Sequence, residues 1–351
     1  MKKFFAAAIA VLMTASLAAC GSTPSSSAAE NAAPASSAAS TESAPSDAGS
    51  GNTYRIGLAQ IMEHTSLNQI RDSFTAEMEA LGYGPDKVEI DYQNAQSDQS
   101  NLNSICQKFA GDGKDLIVAI ATPTAISAAA AAPDIPLVFS AVTDPVAAKL
   151  VENPDAPEGN ITGTSDAGLQ ILGRIDLAFE LMNQLTPGVE TVGLVYNLGE
   201  VNSVAVIEQA KTYLDSKGIG YVEATVTNTS EVQQAAQSLV GKCQAFYTPI
   251  DNTVATAMPV YAEVAKQAGL PIYTGADSMV IDGGFATVGI DYTLLGKQTA
   301  AMVVKVLEGT PISEIPVETL SNFATVVNTT TAEAIGVTLP GDLLSSAIVV
   351  E

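Results

Sequence analysis

Thr122 to Ala125 (TPTA) follows an apolar run and precedes an alanine-rich stretch. Thr122 suits a helix N-cap and Pro123 the first helical position. A helix N-terminus presents unpaired N–H groups and partial positive charge, which suits a carboxylate. Thr124 stands in the same turn. Ser140, Thr143 and Asp144 close the next apolar run and offer hydroxyls and turn amides to the same region. The second half of the chain offers the opposite charge. Asp251 with Asn252, and Asp277, also follow apolar runs, and buried carboxylates there suit an ammonium, because a buried cation must be paired and hydrogen-bonded. A plain helix cap is the alternative for each of these acids. Asn202 and Ser203 add an amide and a hydroxyl, with capping again the alternative, and Gln60, Glu63 and Thr65 fill the matching loop of the first half. The chemistry this set could perform is the gripping of a zwitterion, carboxylate on one side and amine on the other. His64 is the only histidine, and a lone histidine is more often a packing or surface group than a ligand or catalyst.

These groups need elements to place them, and the chain supplies a repeat. Tyr54 to Gln60, a helical segment ending at Leu81 to Gly84, a strand from Val88 to Tyr92 and the polar run Asn94 to Asp98 are answered in order. The answers are Thr191 to Asn197, a helix ending at Lys217 to Gly220, a strand from Tyr221 to Val226 and the polar run Thr227 to Ser230. Ala119 to Thr124 matches Ala245 to Ile250, and Ile135 to Ser140 matches Leu270 to Thr274. Short β-branched or aromatic runs alternating with helical stretches are the βαβ signature of a parallel sheet. Right-handed crossovers then bring all strand C-termini of one unit to one edge, where open α/β sheets bind ligands. The expected fold is α/β, two doubly wound parallel-sheet lobes.

Asn160 to Thr164 reads as a strand leaving the first unit. Phe285 to Ile290 reads as another strand, and the helix from Tyr292 to Glu308 has apolar spacing suited to the first unit, so the chain crosses back. A last crossing falls near Pro316 to Leu320. Three crossings make a hinge and permit closure through a few dihedral changes. The expected N-terminal lobe is 53–162 plus about 290–316, and the C-terminal lobe 163–289 plus about 317–351. The aromatic candidates for a pocket wall are Phe139, Tyr196, Tyr247, Tyr273 and Tyr292. Most of these are strand residues suited to the core.

Composition narrows the function. Lys2 and Lys3 before an apolar run from Phe4 to Met13, then Leu17 to Cys20, resemble a lipoprotein signal peptide over residues 1–20, with Cys20 as the lipidated residue. Residues 21–52 are mostly Ser, Ala, Pro, Gly, Thr and Asn, a tether that cannot bury a core. The net charge of -23 argues against nucleic acid as a partner. Cys106 and Cys243 fall in different units and are expected to be free, buried thiols. No Gly-rich nucleotide loop, nucleophile elbow or metal-spaced His or Cys cluster is present in the sequence. We therefore expect no catalytic residue, no metal and no cofactor.

Seven runs in order carry a more specific likeness: Gln60 to Leu67 (QIMEHTSL) with Arg71 and Phe74, Ile120 to Ala125 (IATPTA), Phe139 to Val146 (FSAVTDPV), Asn160 to Asp166 (NITGTSD), Glu200 to Ser203 (EVNS), Thr248 to Asn252 (TPIDN), and Gly289 to Tyr292 (GIDY) with Leu295 and Gly296. Over about residues 54–320 the chain resembles the ABC transporter substrate-binding proteins of the tryptophan/tyrosine type. It departs from them at Glu63 to Ser66, where that family more often has Pro and Ala after the His. The resemblance implies a type I periplasmic-binding-protein fold with a three-stranded hinge and an amino-acid ligand, aromatic in the better-known members. It also implies an ABC permease as partner, and a monomer anchored by its lipid to the outer face of the cytoplasmic membrane. A nucleoside or sugar ligand, and a ligand sensor that serves no transporter, remain the alternatives.

Overall fold

The computed structural model describes residues 53–166, 174–321 and 323–351; the signal segment, the tether and Cys20 lie outside them. The first sheet contains β1 (Tyr54–Gln60), β2 (Val88–Asn94), β3 (Leu116–Ile120), β4 (Leu137–Ser140), β5 (Ile161–Ser165) and β11 (Glu318–Thr319). Their order is β11-β5-β4-β3-β1-β2, with every pairing parallel. The second contains β6 (Thr191–Asn197), β7 (Gly220–Val226), β8 (Ala245–Thr248), β9 (Ile272–Thr274), β10 (Ala286–Gly289), β12 (Ala324–Asn328) and β13 (Ile348–Val350). Their order is β13-β12-β10-β9-β8-β6-β7, parallel except where β12 runs antiparallel to β10. The fold is thus the expected pair of doubly wound lobes.

Side-chain periodicity explains the burial. β3 (LIVAI) is buried at every residue, as a strand covered on both faces must be. In β6, Val192, Leu194 and Tyr196 enter one core cluster while Val195 enters another on the opposite face. The repeat also places a glycine in the first strand of each unit. A Cβ on Gly57 would stand 2.6 Å from the Phe109 ring, and one on Gly193 would stand 2.8 Å from the Cys243 sulfur and from Phe246. Each glycine therefore lets a helix end or neighbouring strand pack directly on the sheet.

Helices α1 (Thr65–Ala80), α2 (Gln99–Gly111) and α3 (Thr122–Ala131) cover the first sheet. The second lobe uses α4 (Asp176–Leu185), α5 (Val201–Lys217), α6 (Val232–Leu239), α7 (Asn252–Thr256), α8 (Met258–Ala268) and α9 (Asp277–Ile281). Helix α10 (Tyr292–Leu307) returns to lie along α1, and α11 (Thr329–Ala334) and α12 (Gly341–Ser346) end the chain before β13. The C-terminal β-branched residues Ile348, Val349 and Val350 pair with β12 as an edge strand.

The chain passes between lobes after Ser165, after Gly289 and after Thr319, forming the hinge. The first sheet holds it through Ser165 and again at Glu318–Thr319, a few residues past the expected boundaries at 162 and 316, because β11 pairs with the end of β5. Cys106 and Cys243 are free and buried, and burial pushes both thiols up to about 11. Among the described residues no helix is long and apolar enough to cross a membrane.

Candidate functional site

The two parallel sheets turn their C-terminal edges toward one hollow. Its lining comes from just past eight strand ends: His64 after β1, Thr122 after β3, Ala141 and Thr143 after β4, Asp166 after β5, Asn202 after β6, Ile250 to Asn252 after β8, Ala276 and Met279 after β9, and Tyr292 after β10. Ser66, Leu67 and Ala255 complete it. Room for the centre of a water-sized sphere is about 10 Å³, roughly what one water needs. In this arrangement the lobes leave no room for anything larger.

Direct bonds hold them together across the gap. Thr65 Oγ1 donates to Asp282 Oδ2 at 2.9 Å, the Ser66 and Ser278 hydroxyls pair, and Thr256 Oγ1 donates to Met62 Sδ at 3.0 Å. His64 Nε2 meets Asn252 Oδ1 at 3.1 Å. Four residues in one loop, Met62 to Ser66 without Glu63, thus touch α7, α9 or the residue after α9.

Asp166 is the group that sequence reasoning passed over. Its carboxylate accepts from Thr143 Oγ1 at 2.9 Å and from Tyr292 OH at 3.2 Å. It is 3% exposed. Burial pushes its pKa up to about 6, against the pull of the two hydroxyls. Among the described residues lining the hollow, none is a lysine or arginine. Three further polar atoms of the lining are buried and have no hydrogen-bond partner among the described residues: His64 Nδ1, Thr122 Oγ1 and Asn202 Oδ1. Unsatisfied groups of this kind cost free energy in a folded chain unless something binds them.

Local backbone explains why Thr122 is among them. Ala121, not Thr122, is the N-cap residue of α3, and it has φ 78° with no side chain able to cap. The expected capping role of Thr122 is therefore corrected by one residue: it is the first residue of the helix and Pro123 the second. Its hydroxyl is left to face the hollow beside first-turn N–H groups that have no partner within the helix. Ala141, at the end of the next strand, also has positive φ, 56°. Left-handed backbone at a non-glycine residue costs about 1–3 kcal/mol and collects at functional sites.

The remaining expected residues divide. Thr122, Thr143, Asn202, Asp251 and Asn252 line the hollow. Asp251 is buried, its Oδ1 capping α7 through Val254 N and its Oδ2 accepting from Asn197 N. Burial and the nearby Glu200 charge push its pKa up. Ser203 lies against Asp251 and Asn202. Glu200 clamps the start of α7, accepting from Asn252 N, Asn252 Nδ2, Thr253 N and Thr253 Oγ1 at 2.7–3.0 Å. Asp277 opens α9 and accepts from Ser278 N, with its pKa pushed up to about 6 by burial and then by Asp291; it is not part of the lining.

Others serve the scaffold. The Ser140 hydroxyl is under α10, paired with Thr299 at 2.8 Å and Thr164 at 3.3 Å. Asp144 accepts from Val146 N and Ala147 N in its own turn. Gln60 Nε2 donates to Met62 O and Asn68 Oδ1. Glu63 is exposed and pairs with Arg71 at 3.3 Å. Thr65 is the bridge to Asp282, and Thr124 is fully buried, its hydroxyl without a partner among the described residues, and is not part of the lining. Of the aromatic candidates, Tyr292 lines the hollow, while Phe139, Tyr196, Tyr247 and Tyr273 are core residues.

A family model described as ABC transporter substrate binding protein matches residues 55–351. A protein of Clostridioides difficile named tyrosine-binding protein is 40% identical over 281 residues, 80% of this chain and 80% of that one. The solved ABC domain from Streptococcus pneumonia in complex with L-Trp is 35% identical, covers 86% of this chain and 100% of its own, and superimposes with a TM-score of 0.79. The ligand-free, open structure of a Clostridium difficile substrate-binding protein with adhesive properties is 37% identical, covers 85% and 99%, and gives 0.65.

Proposed function

This chain belongs to the ABC transporter substrate-binding protein family, and we propose that its cargo is a free amino acid with an aromatic side chain, held between the lobes and passed unaltered to a membrane permease. Substrate-binding proteins of this family work outside the cytoplasm, bind a small molecule and are in general not enzymes. One observation carries the cargo assignment: the buried Asp166 carboxylate, with acceptors His64 Nδ1 and Asn202 Oδ1 lining the same hollow and no basic side chain beside them. A buried anion calls for a cation, and a primary ammonium supplies both the charge and three donors. The α3 N-terminus with Thr122 Oγ1 suits the cargo carboxylate. Leu67, Ile250, Met279 and the Tyr292 ring offer an apolar wall for its side chain.

Relatives support the same reading, since one is named for tyrosine and another was solved with L-Trp. The chain also overlays the L-Trp complex more closely than the open structure at nearly equal identity, as a closed arrangement would. Closure would follow from cargo touching both lobes and so binding the closed state better. We place the protein on the outer face of the cytoplasmic membrane as a monomer, held by a lipid on Cys20 through the 21–52 tether.

A thermal-shift screen tests the cargo. L-Tyr, L-Trp or L-Phe at about 100 times Kd should add about 2.7 kcal/mol of stability, and N-acetyl-L-tyrosine, which lacks the ammonium, should add almost none. A shift with N-acetyl-L-tyrosine equal to that with L-tyrosine, or a shift only with a sugar or nucleoside, would overturn the assignment.

A further inference from the structure

We propose that His64 is a cargo-reading acceptor whose useful tautomer is imposed by the opposite lobe: Asn252 Oδ1 accepts a hydrogen bond from Nε2–H, and Nδ1 is left as a bare lone pair in the hollow. Three bonded groups, Glu200, Asn252 and His64, fix the ring. Glu200 is a carboxylate that accepts from Asn252 Nδ2 at 2.7 Å and from Asn252 N at 3.0 Å. A carboxylate only accepts, so the amide nitrogen of Asn252 is fixed on the Glu200 side and its oxygen faces the imidazole. At 3.1 Å that oxygen requires a proton on Nε2. In a neutral ring, Nδ1 is then an acceptor.

The ring is held neutral. Burial lowers the pKa of His64, outweighing the Asn252 bond and the Glu200 charge that act to raise it. Among the described residues lining the hollow, the other titratable groups are Asp251 before α7, Asp166 after β5 and Tyr292 at the start of α10; Glu200 after β6 acts on the ring through its charge, and Asp282 after α9 is bonded to the adjacent Thr65. Some of the His64 side chain meets solvent, yet the Nδ1 atom is buried with no partner among the described residues. A histidine present only for packing would not leave that atom bare in a hollow that Asp166 and Asn202 also line.

The geometry has a functional consequence. His64 sits in the loop after β1, whereas Asn252 and Glu200 belong to the second lobe. Parting the lobes separates the ring from Asn252, so its tautomer is no longer specified and it regains an ordinary pKa near about 6.5. The acceptor is therefore assembled by closure. A cargo ammonium would meet its full set of acceptors, Asp166, Asn202 and His64, in the shut form.

The proposal rests on the amino-acid reading only for the identity of the probe. Because the chain has one histidine, NMR of tag-free protein observes this imidazole alone. With saturating L-tyrosine or L-tryptophan we expect the Nε2–H tautomer and a pKa below the usual value for an imidazole. Asn252→Ala should return both toward ordinary values and raise Kd about tenfold. His64→Gln keeps a donor at the Nε2 position for Asn252 but has no atom at the Nδ1 position, its own acceptor lying at the far end of the side chain, and it should raise Kd about tenfold with an unchanged melting temperature. An Nδ1–H tautomer, or His64→Gln binding within about twofold of wild type, would overturn the proposal. If neither amino acid binds, the cargo assignment falls by itself. The tautomer in the protein alone, with and without Asn252→Ala, then decides for or against the imposed acceptor.

Discussion

Asp166→Asn weakens binding of an aromatic amino acid at least about thirtyfold, the equivalent of about 2 kcal/mol for a buried charge that loses its partner. Asparagine nearly preserves the volume and keeps an oxygen for Thr143 or Tyr292, so what is lost is charge. The pH dependence gives an independent sign. With the lobes shut, burial holds the Asp166 carboxyl up at about 6, and a cargo ammonium pulls it back down, so the bound form releases a proton that the shut form without cargo keeps in acid. Affinity is then fully present above pH about 6 and falls as pH drops through that value. The Asp166→Asn protein should lose most of this fall. Calorimetric titrations at several pH values read both effects; a Kd within about threefold of wild type at neutral pH would remove Asp166 from the site.

Gly296→Ala is expected to destabilise the first lobe by about 3 kcal/mol, the upper end of the overpacking range. A Cβ there would stand 2.1 Å from Ser73 Oγ and 2.5 Å from the backbone oxygen of Ile70. Ser73 can rotate, but the backbone of α1 cannot, so α10 must move off it. The displacement reaches the site, because α10 carries Tyr292, which donates to Asp166, and Thr299, which holds Ser140 and Thr164. Urea unfolding measures the loss. A second change, Ser73→Ala, should restore only part of it, since the Ile70 carbonyl remains in the way; full rescue, or a loss under about 1 kcal/mol, would show that the two helices do not depend on this contact.

The sequence made the scaffold readable because strands buried on both faces are nearly continuous apolar runs. β1 and β6 stand at the residues their patterns predict, and the helix from Tyr292 differs from expectation by one residue. Which strand ends surround the site also followed from parallel pairing. Which side chains enter the hollow did not, because that is decided by single backbone turns and distant partners. The positive φ of Ala121 moved Thr122 from cap to lining. Ser140 looked like a ligand donor until Thr299, 159 residues away, claimed its hydroxyl. Asp166 gains its place from Thr143 and from Tyr292, 126 residues on, and a lone acid after a strand gives no local sign of that. His64 was discounted on frequency, yet its meaning depends on Asn252 in the other lobe.

The bonds from Thr65 to Asp282 and from Ser66 to Ser278 join protein to protein, with no cargo atom between them. Their formation does not require cargo. The rate of uptake is then throttled by the fraction of time the doors stand ajar, whereas departure must wait for every latch to release at once. Capture and release are thereby coupled to the same few side-chain latches.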